Sequence, residues 1–179
     1  MSVFIPNVAT TYLSTPFTLG AGADLTLMCW TYLSTASPAA YRNMIYASPN
    51  TGLSAYTDGV TFDVGTSATT NLGAVLPINT WIHVCQTVFS NGNASSHLIT
   101  GYINGQQTVR VVDTTTLTTY ADIGIGGDPN APGGTFPLNG NVRDARVWTR
   151  ALSATEVVGQ LPPAQGWWLV SSLSAPTIG

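Results

Sequence analysis

The chain has 179 residues, enough for one all-β sandwich with a full core. Only 7% of them are charged, against about 25% in typical domains, and the net charge is −3 with five arginines and no lysine. That balance excludes an electrostatic nucleic-acid binder, and no apolar run approaches the ~20 residues of a membrane helix.

Residues 1–12 are apolar and threonine-rich, which suits an edge strand or an arm reaching a neighbouring molecule. This N-terminus lacks a basic segment followed by a long apolar one, so no signal peptide is expected. Residues 25–33 read as a strand with Leu25, Leu27 and Cys29 on one face and Thr26, Met28 and Trp30 on the other. Both faces are largely apolar, which predicts a central strand. Shorter strands follow at 43–47, 53–57 and 61–64, the last two joined by the hairpin pair Asp58-Gly59.

Residues 81–89 give the strongest alternation. Ile82, Val84 and Val88 share one face; Trp81, His83, Cys85 and Phe89 share the other. The strands 98–103 and 106–112 are joined by Asn104-Gly105, the preferred pair for a tight hairpin. A strand at 121–125, a Gly/Pro-rich loop at 126–137 and a strand at 140–148 complete the run.

Ser153 and Glu156 have capping-box spacing, so a short helix opens at Ser153 and ends before Pro162-Pro163. Residues 167–172 are expected to form a last strand. Many short strands with one short helix predict an all-β, two-sheet antiparallel sandwich. It spans 1–179 as one domain, with an N-terminal arm at 1–12 and a C-terminal strand and tail at 163–179. Cys29 and Cys85, each amid apolar strand residues, are expected to be buried thiols. A disulfide remains open if their strands are neighbours.

Three segments resemble the laminin-G-like, concanavalin A-like jelly-roll family, and they occur in the family's order. Thr80-Trp81-Ile82-His83-Val84 is similar to its "tWhhvA" strand. Tyr102-Ile103-Asn104-Gly105 is similar to its "lYvNG" hairpin. GNVRDARVWTRALS, residues 140–153, resembles its "G.idevriynraLs" segment, with Arg143 where the family often has an acid and Ala145 where it has a larger aliphatic. The resemblance spans roughly 17–161. It implies a curved jelly roll whose concave face or rim loops bind sugars or proteins, often with calcium at a rim.

Some members of that fold are glucanases, which need two carboxylates across the sugar bond. Here Glu156 is the only glutamate and serves a helix cap, so no catalytic residue is expected. His83 and His97 with the two cysteines lack zinc spacing, so no metal centre is expected either. If calcium binds, Asp128 and Asn130 in Gly127-Asp128-Pro129-Asn130 offer oxygens, although such a sequence also forms a turn that bonds its own backbone. Trp30, Trp81 and Trp148 are read as core. Adjacent Trp167 and Trp168 face opposite sides of a strand, so one is a candidate ligand contact.

The near-neutral surface suits a chain covered by other subunits. The expected role is therefore a non-enzymatic structural or binding protein on the surface of an assembly. A phage or viral decoration or fibre-associated protein fits best, made in the host cytoplasm, placed on the virion and binding glycans. The alternative is an extracellular carbohydrate-binding module or adhesin, and a glycoside hydrolase ranks last.

Overall fold

A computed structural model describes residues 2–5, 12–35, 41–49, 51–58, 60–66, 72–130 and 136–161. Two six-stranded antiparallel sheets stack face to face as a jelly-roll sandwich. The first runs β1 (Ser2–Ile5), β12 (Gly140–Trp148), β3 (Leu25–Leu33), β8 (Trp81–Phe89), β9 (His97–Ile103), β10 (Gln106–Asp113). The second runs β2 (Leu13–Leu19), β11 (Tyr120–Ile125), β4 (Arg42–Ser48), β5 (Thr51–Ala55), β6 (Thr61–Thr66), β7 (Leu72–Val75). One helix, α1 (Ala154–Gly159), follows β12.

Strand parity builds the core. Leu25, Leu27, Cys29 and Leu33 of β3 join Ile82, Val84 and Val88 of β8, and meet Ile45, Leu53, Phe62 and Val64 of the second sheet. Each such aliphatic side chain contributes roughly 1.5–3 kcal/mol on full burial. The opposite parity of β3 and β8 is apolar for a separate reason. Met28 and Cys85, with Tyr102 of β9, form a second small core with Leu152 and with Val157 of α1. Helix α1 therefore roofs part of the first sheet, and β3 is buried on both faces from Leu25 to Cys29, as its sequence suggests.

The helix is held by its cap. Ser153 Oγ accepts from the Glu156 amide at 3.3 Å, and Glu156 Oε2 accepts from the Ser153 amide at 2.9 Å. Arg150 adds an ion pair to Glu156 at 2.7 Å. At the β9–β10 turn Asn104 and Gly105 both take positive φ, 49° and 77°, as a tight hairpin of this hand requires.

Several expectations change in detail. Residues 2–5 pair along β12 within the chain, so there the edge-strand reading holds, not the arm reaching a neighbour. The expected strand at 53–57 begins earlier, at Thr51, whose hydroxyl lies in the core and accepts from Gln86 Nε2 at 2.7 Å. Two strands were not foreseen in full. β2 is exposed at most positions and contains Pro16, so it lacks alternation; β7 has four residues, too few for a periodic signal. Cys29 pairs with Val84 and Cys85 with Met28, which puts the two sulfurs on opposite faces of one sheet. Both thiols are free and buried. The strand expected at 167–172 lies outside the described residues.

Candidate functional site

Once Leu25, Leu27 and Cys29 point inward, Trp30 and Tyr32 must point outward. The register then fixes their neighbours. Trp81 of β8 lies opposite Tyr32, and His83 lies opposite Trp30. On the other flank, Arg143 of β12 lies opposite Trp30. Trp30 and Trp81 are thus half-buried on the outer face of the first sheet, and the expectation that they are core is corrected. Trp148 is half-buried beside the small core under α1, not between the sheets.

Arg143 and Arg146 share the outer face although they are three residues apart. A bulge between them sets Asp144 and Ala145 against one residue of β3 and re-aims the strand. Asp144 takes φ 53°, a conformation that aspartate accepts more readily than bulkier residues. Arg143 Cζ stands 4.4 Å from the Trp81 ring centroid and 5.2 Å from that of Trp30. Each cation–π contact contributes roughly 0.5–2 kcal/mol and holds the guanidinium in place. Tyr32 and Trp81 have ring centroids 5.7 Å apart, and Trp30 meets His83 edge-on at 5.6 Å.

Beside this platform the charges are paired. Arg146 donates to both oxygens of Asp144 at 2.9 and 2.7 Å, and to Gln160 at 2.8 Å. His83 is 2% exposed, and burial pushes its imidazole down to about 4; Asp144 opposes that shift and Arg146 adds to it. Nδ1 of His83 and the indole N–H of Trp30 are buried without a hydrogen-bond partner.

The outer face of the second sheet is polar. Asn43, Ser54 and Asp63 stand in one row across β4, β5 and β6, and Ser54 Oγ donates to Asn43 Oδ1 at 2.7 Å. All three are buried. The adjacent row places Tyr46 between Gly124 and Gly52, with the Tyr46 ring over Gly52: a Cβ there would meet its Cδ2 at 2.4 Å. Tyr41 meets Tyr56 and Phe136 edge-on, with centroids 5.3 and 5.8 Å away.

Of the residues picked from sequence, Asp128 and Asn130 lie in the turn after β11. Asp128 Oδ1 accepts from the Asn130 amide at 3.0 Å. The Asn130 side chain donates to Ser48 Oγ at 2.9 Å and to Asp122 Oδ2 at 3.2 Å. The turn therefore bonds itself and the end of β4. Trp167 and Trp168 lie outside the described residues. Among the described residues, no three His, Cys, Asp or Glu side chains gather where a metal could sit. An open depression of about 460 Å³ lies at one rim, with Asp24, Asn91, Thr149 and Arg150 in its lining. Asp24 Oδ1 there already accepts the amides of Ser90 and Asn91, at 2.7 and 3.1 Å.

The platform was partly legible beforehand. The alternation already separated Trp30 and Trp81 from the aliphatic faces of their strands, but it carries no sign of which face is covered. Arg143 was not foreseen, because the bulge breaks the parity that would have placed it.

A family model described as the concanavalin A-like lectin/glucanases superfamily matches residues 7–158. Among solved structures, the chain is similar to a candidate carbohydrate binding protein from Bacteroides ovatus, with TM-score 0.65 and 14% identity over 88% of this chain and 45% of that one. It is also similar to the binding domain of botulinum neurotoxin serotype D, with TM-score 0.59 and 13% identity over 88% of this chain and 41% of the other. A Trypanosoma rangeli sialidase gives TM-score 0.57 and 17% identity over 77% of this chain and 22% of the enzyme. The chain spans less than half the length of each, and at these identities the likeness is one of fold. No curated protein matches the chain.

Proposed function

The chain belongs to the concanavalin A-like lectin/glucanase superfamily, and on that premise we propose that it is a non-enzymatic glycan-binding module that binds through the outer face of its first sheet. The observation that carries this is the cluster of Tyr32, Trp81, Trp30 and Arg143, held half-exposed on two neighbouring rows of a rigid sheet. Flat aromatic faces suit the apolar C–H faces of sugar rings, and their N–H and O–H groups serve the hydroxyls. Two of the similar structures are described as binding proteins or domains, which agrees with this reading.

Several of the acids have a structural task, which supports a non-catalytic role. Glu156 caps α1, Asp144 holds Arg146, Asp58 accepts the amides of Val60 and Thr61, and Asp113 lies 3.8 Å from His97. The test is a glycan array probed with and without calcium. We expect binding that is lost in Trp81→Ala and unchanged by chelation, since Asp128 already accepts the Asn130 amide. Silence of the array under both conditions removes the reading.

A second reading, a subunit on the surface of an assembly such as a virion, is favoured by one observation. Edge strands β2, β7 and β10 expose Leu13, Val75 and Val112 at 49%, 67% and 63%, in a chain without lysine to guard its edges. Light scattering after size exclusion tests it. Self-association or capture by particle proteins supports it, and a monodisperse monomer at high concentration counts against it.

A further inference from the structure

We propose that Tyr32 and Asn79 read hydroxyl groups at the edge of the first-sheet platform, and that together they select saccharides with two neighbouring equatorial hydroxyls on one pyranose ring, as in the gluco and xylo configurations. The inference rests on the glycan-binding reading of the same face and adds the ligand class.

The segment that leads into β8 is tied to the end of β3. Ile78 bridges Leu33, and the Asn79 amide donates to the Leu33 carbonyl at 2.8 Å. Asn79 takes φ 56°, a left-handed conformation that asparagine accepts more readily than most residues. Its side chain is thereby held beside the platform, where the Tyr32 hydroxyl donates to Asn79 Oδ1 at 3.4 Å. A bond of that length is weak, so the hydroxyls of a ligand compete for these groups at little cost. Two complementary functions stand side by side: the Nδ2 amide of Asn79 donates, and the hydroxyl oxygen of Tyr32 accepts. Asn79 is exposed and Tyr32 half-buried. Fixing the Asn79 backbone also removes freedom that binding would otherwise have to freeze.

A sugar hydroxyl both donates and accepts. Two neighbouring hydroxyls therefore match this pair, one accepting from Asn79 Nδ2 and the next donating to Tyr32 Oη. The rings decide the configuration. Tyr32 and Trp81 have centroids 5.7 Å apart and planes inclined at 51°, so one flat sugar cannot stack on both. It lies on one ring and is flanked by the other. With Trp81 as the stacking ring, the flank is Tyr32, carrying its hydroxyl and Asn79. Equatorial hydroxyls of a stacked pyranose extend outward past its rim, toward such a flank. Axial hydroxyls stand perpendicular to the ring and point away from it. Engaging both readers at once takes two equatorial neighbours, whereas a ring without such a pair uses the stacking surface and one reader at most.

The experiment titrates the full chain with methyl β-glucopyranoside, whose ring hydroxyls are all equatorial, and methyl β-talopyranoside, whose O2 and O4 are axial, read by tryptophan fluorescence and calorimetry. The glucoside is expected to bind roughly 2- to 10-fold more tightly, the range of one neutral hydrogen bond. Asn79→Gly removes the side-chain amide and keeps the left-handed backbone without strain, and it should bring the two affinities together. Tyr32→Phe should do the same, while Trp81→Ala should weaken both glycosides. Asn79→Asp, which keeps the acceptor and loses the donor, should also erase the preference, and it serves if the glycine variant fails to fold. Equal affinity for the two glycosides, retention of the preference in the Asn79 and Tyr32 variants, or binding of neither glycoside overturns the inference. Another saccharide bound on the array in that case leaves the glycan-binding reading standing, and an empty array removes both.

Discussion

Acidification should destabilise the fold through His83, in a pH window set by that residue. Its imidazole is buried beneath the platform and pushed from 6.5 to about 4, chiefly by burial, with Asp144 opposing and Arg146 adding. A folded pKa below the unfolded one means that the unfolded chain binds the proton more tightly. The stabilisation is therefore complete above pH 6.5 and is lost as pH falls from 6.5 toward 4. The full difference corresponds to about 3 kcal/mol, of which roughly 2.5 kcal/mol is lost between pH 7.5 and 4.5. For a chain of this size that lowers Tm by about 5–10 °C. His97 acts in the same direction, since burial lowers it while Asp113 pulls it back. Glu156 is held down at about 2 by Arg150 and the Ser153 cap, so its loss begins near 4.5 and falls below this window. Urea midpoints at pH 7.5 and 4.5 should be compared for wild type and His83→Phe, which removes the titrating group and keeps a ring against Trp30. The variant should lose most of the wild-type pH dependence. Equal losses in the two proteins would refute the assignment to His83.

Three further outcomes are expected. Ser153→Ala removes the acceptor for the Glu156 amide and should cost about 1 kcal/mol in urea unfolding, with Glu156→Gln costing less because an amide still reaches the cap. Gly52→Ala drives a methyl group to within 2.4 Å of the Tyr46 ring and 2.7 Å of the Ile45 carbonyl; we expect about 1–3 kcal/mol of destabilisation, and a neutral result would mean that this row repacks freely. The thiols of Cys29 and Cys85, raised by burial, should resist a thiol-reactive dye in the native state and react only on unfolding; fast labelling of either would contradict its burial.

Much of the fold was legible because its signals are local. Alternation marked β3 and β8 at their observed bounds, the family-like segment GNVRDARVW marked β12, Asn104-Gly105 marked its hairpin, and Ser153 with Glu156 marked the helix start. Each depends only on residues a few positions apart, whose backbone preferences act in any context. Parity also divided the side chains of each strand into two sets. It could not say which set meets the other sheet, because both sets of β3 are apolar and one is covered by a helix more than 100 positions away in the chain. That choice, made by long-range packing, turned Trp30 and Trp81 from expected core into an outer platform. The bulge that places Arg143 beside them, and the register that lines up Asn43, Ser54 and Asp63 across three strands, likewise exist only between strands. The amino-acid order by itself determined where strands run and which side chains share a face; only tertiary packing decided which face looks outward, because that depends on what else the chain brings to cover it.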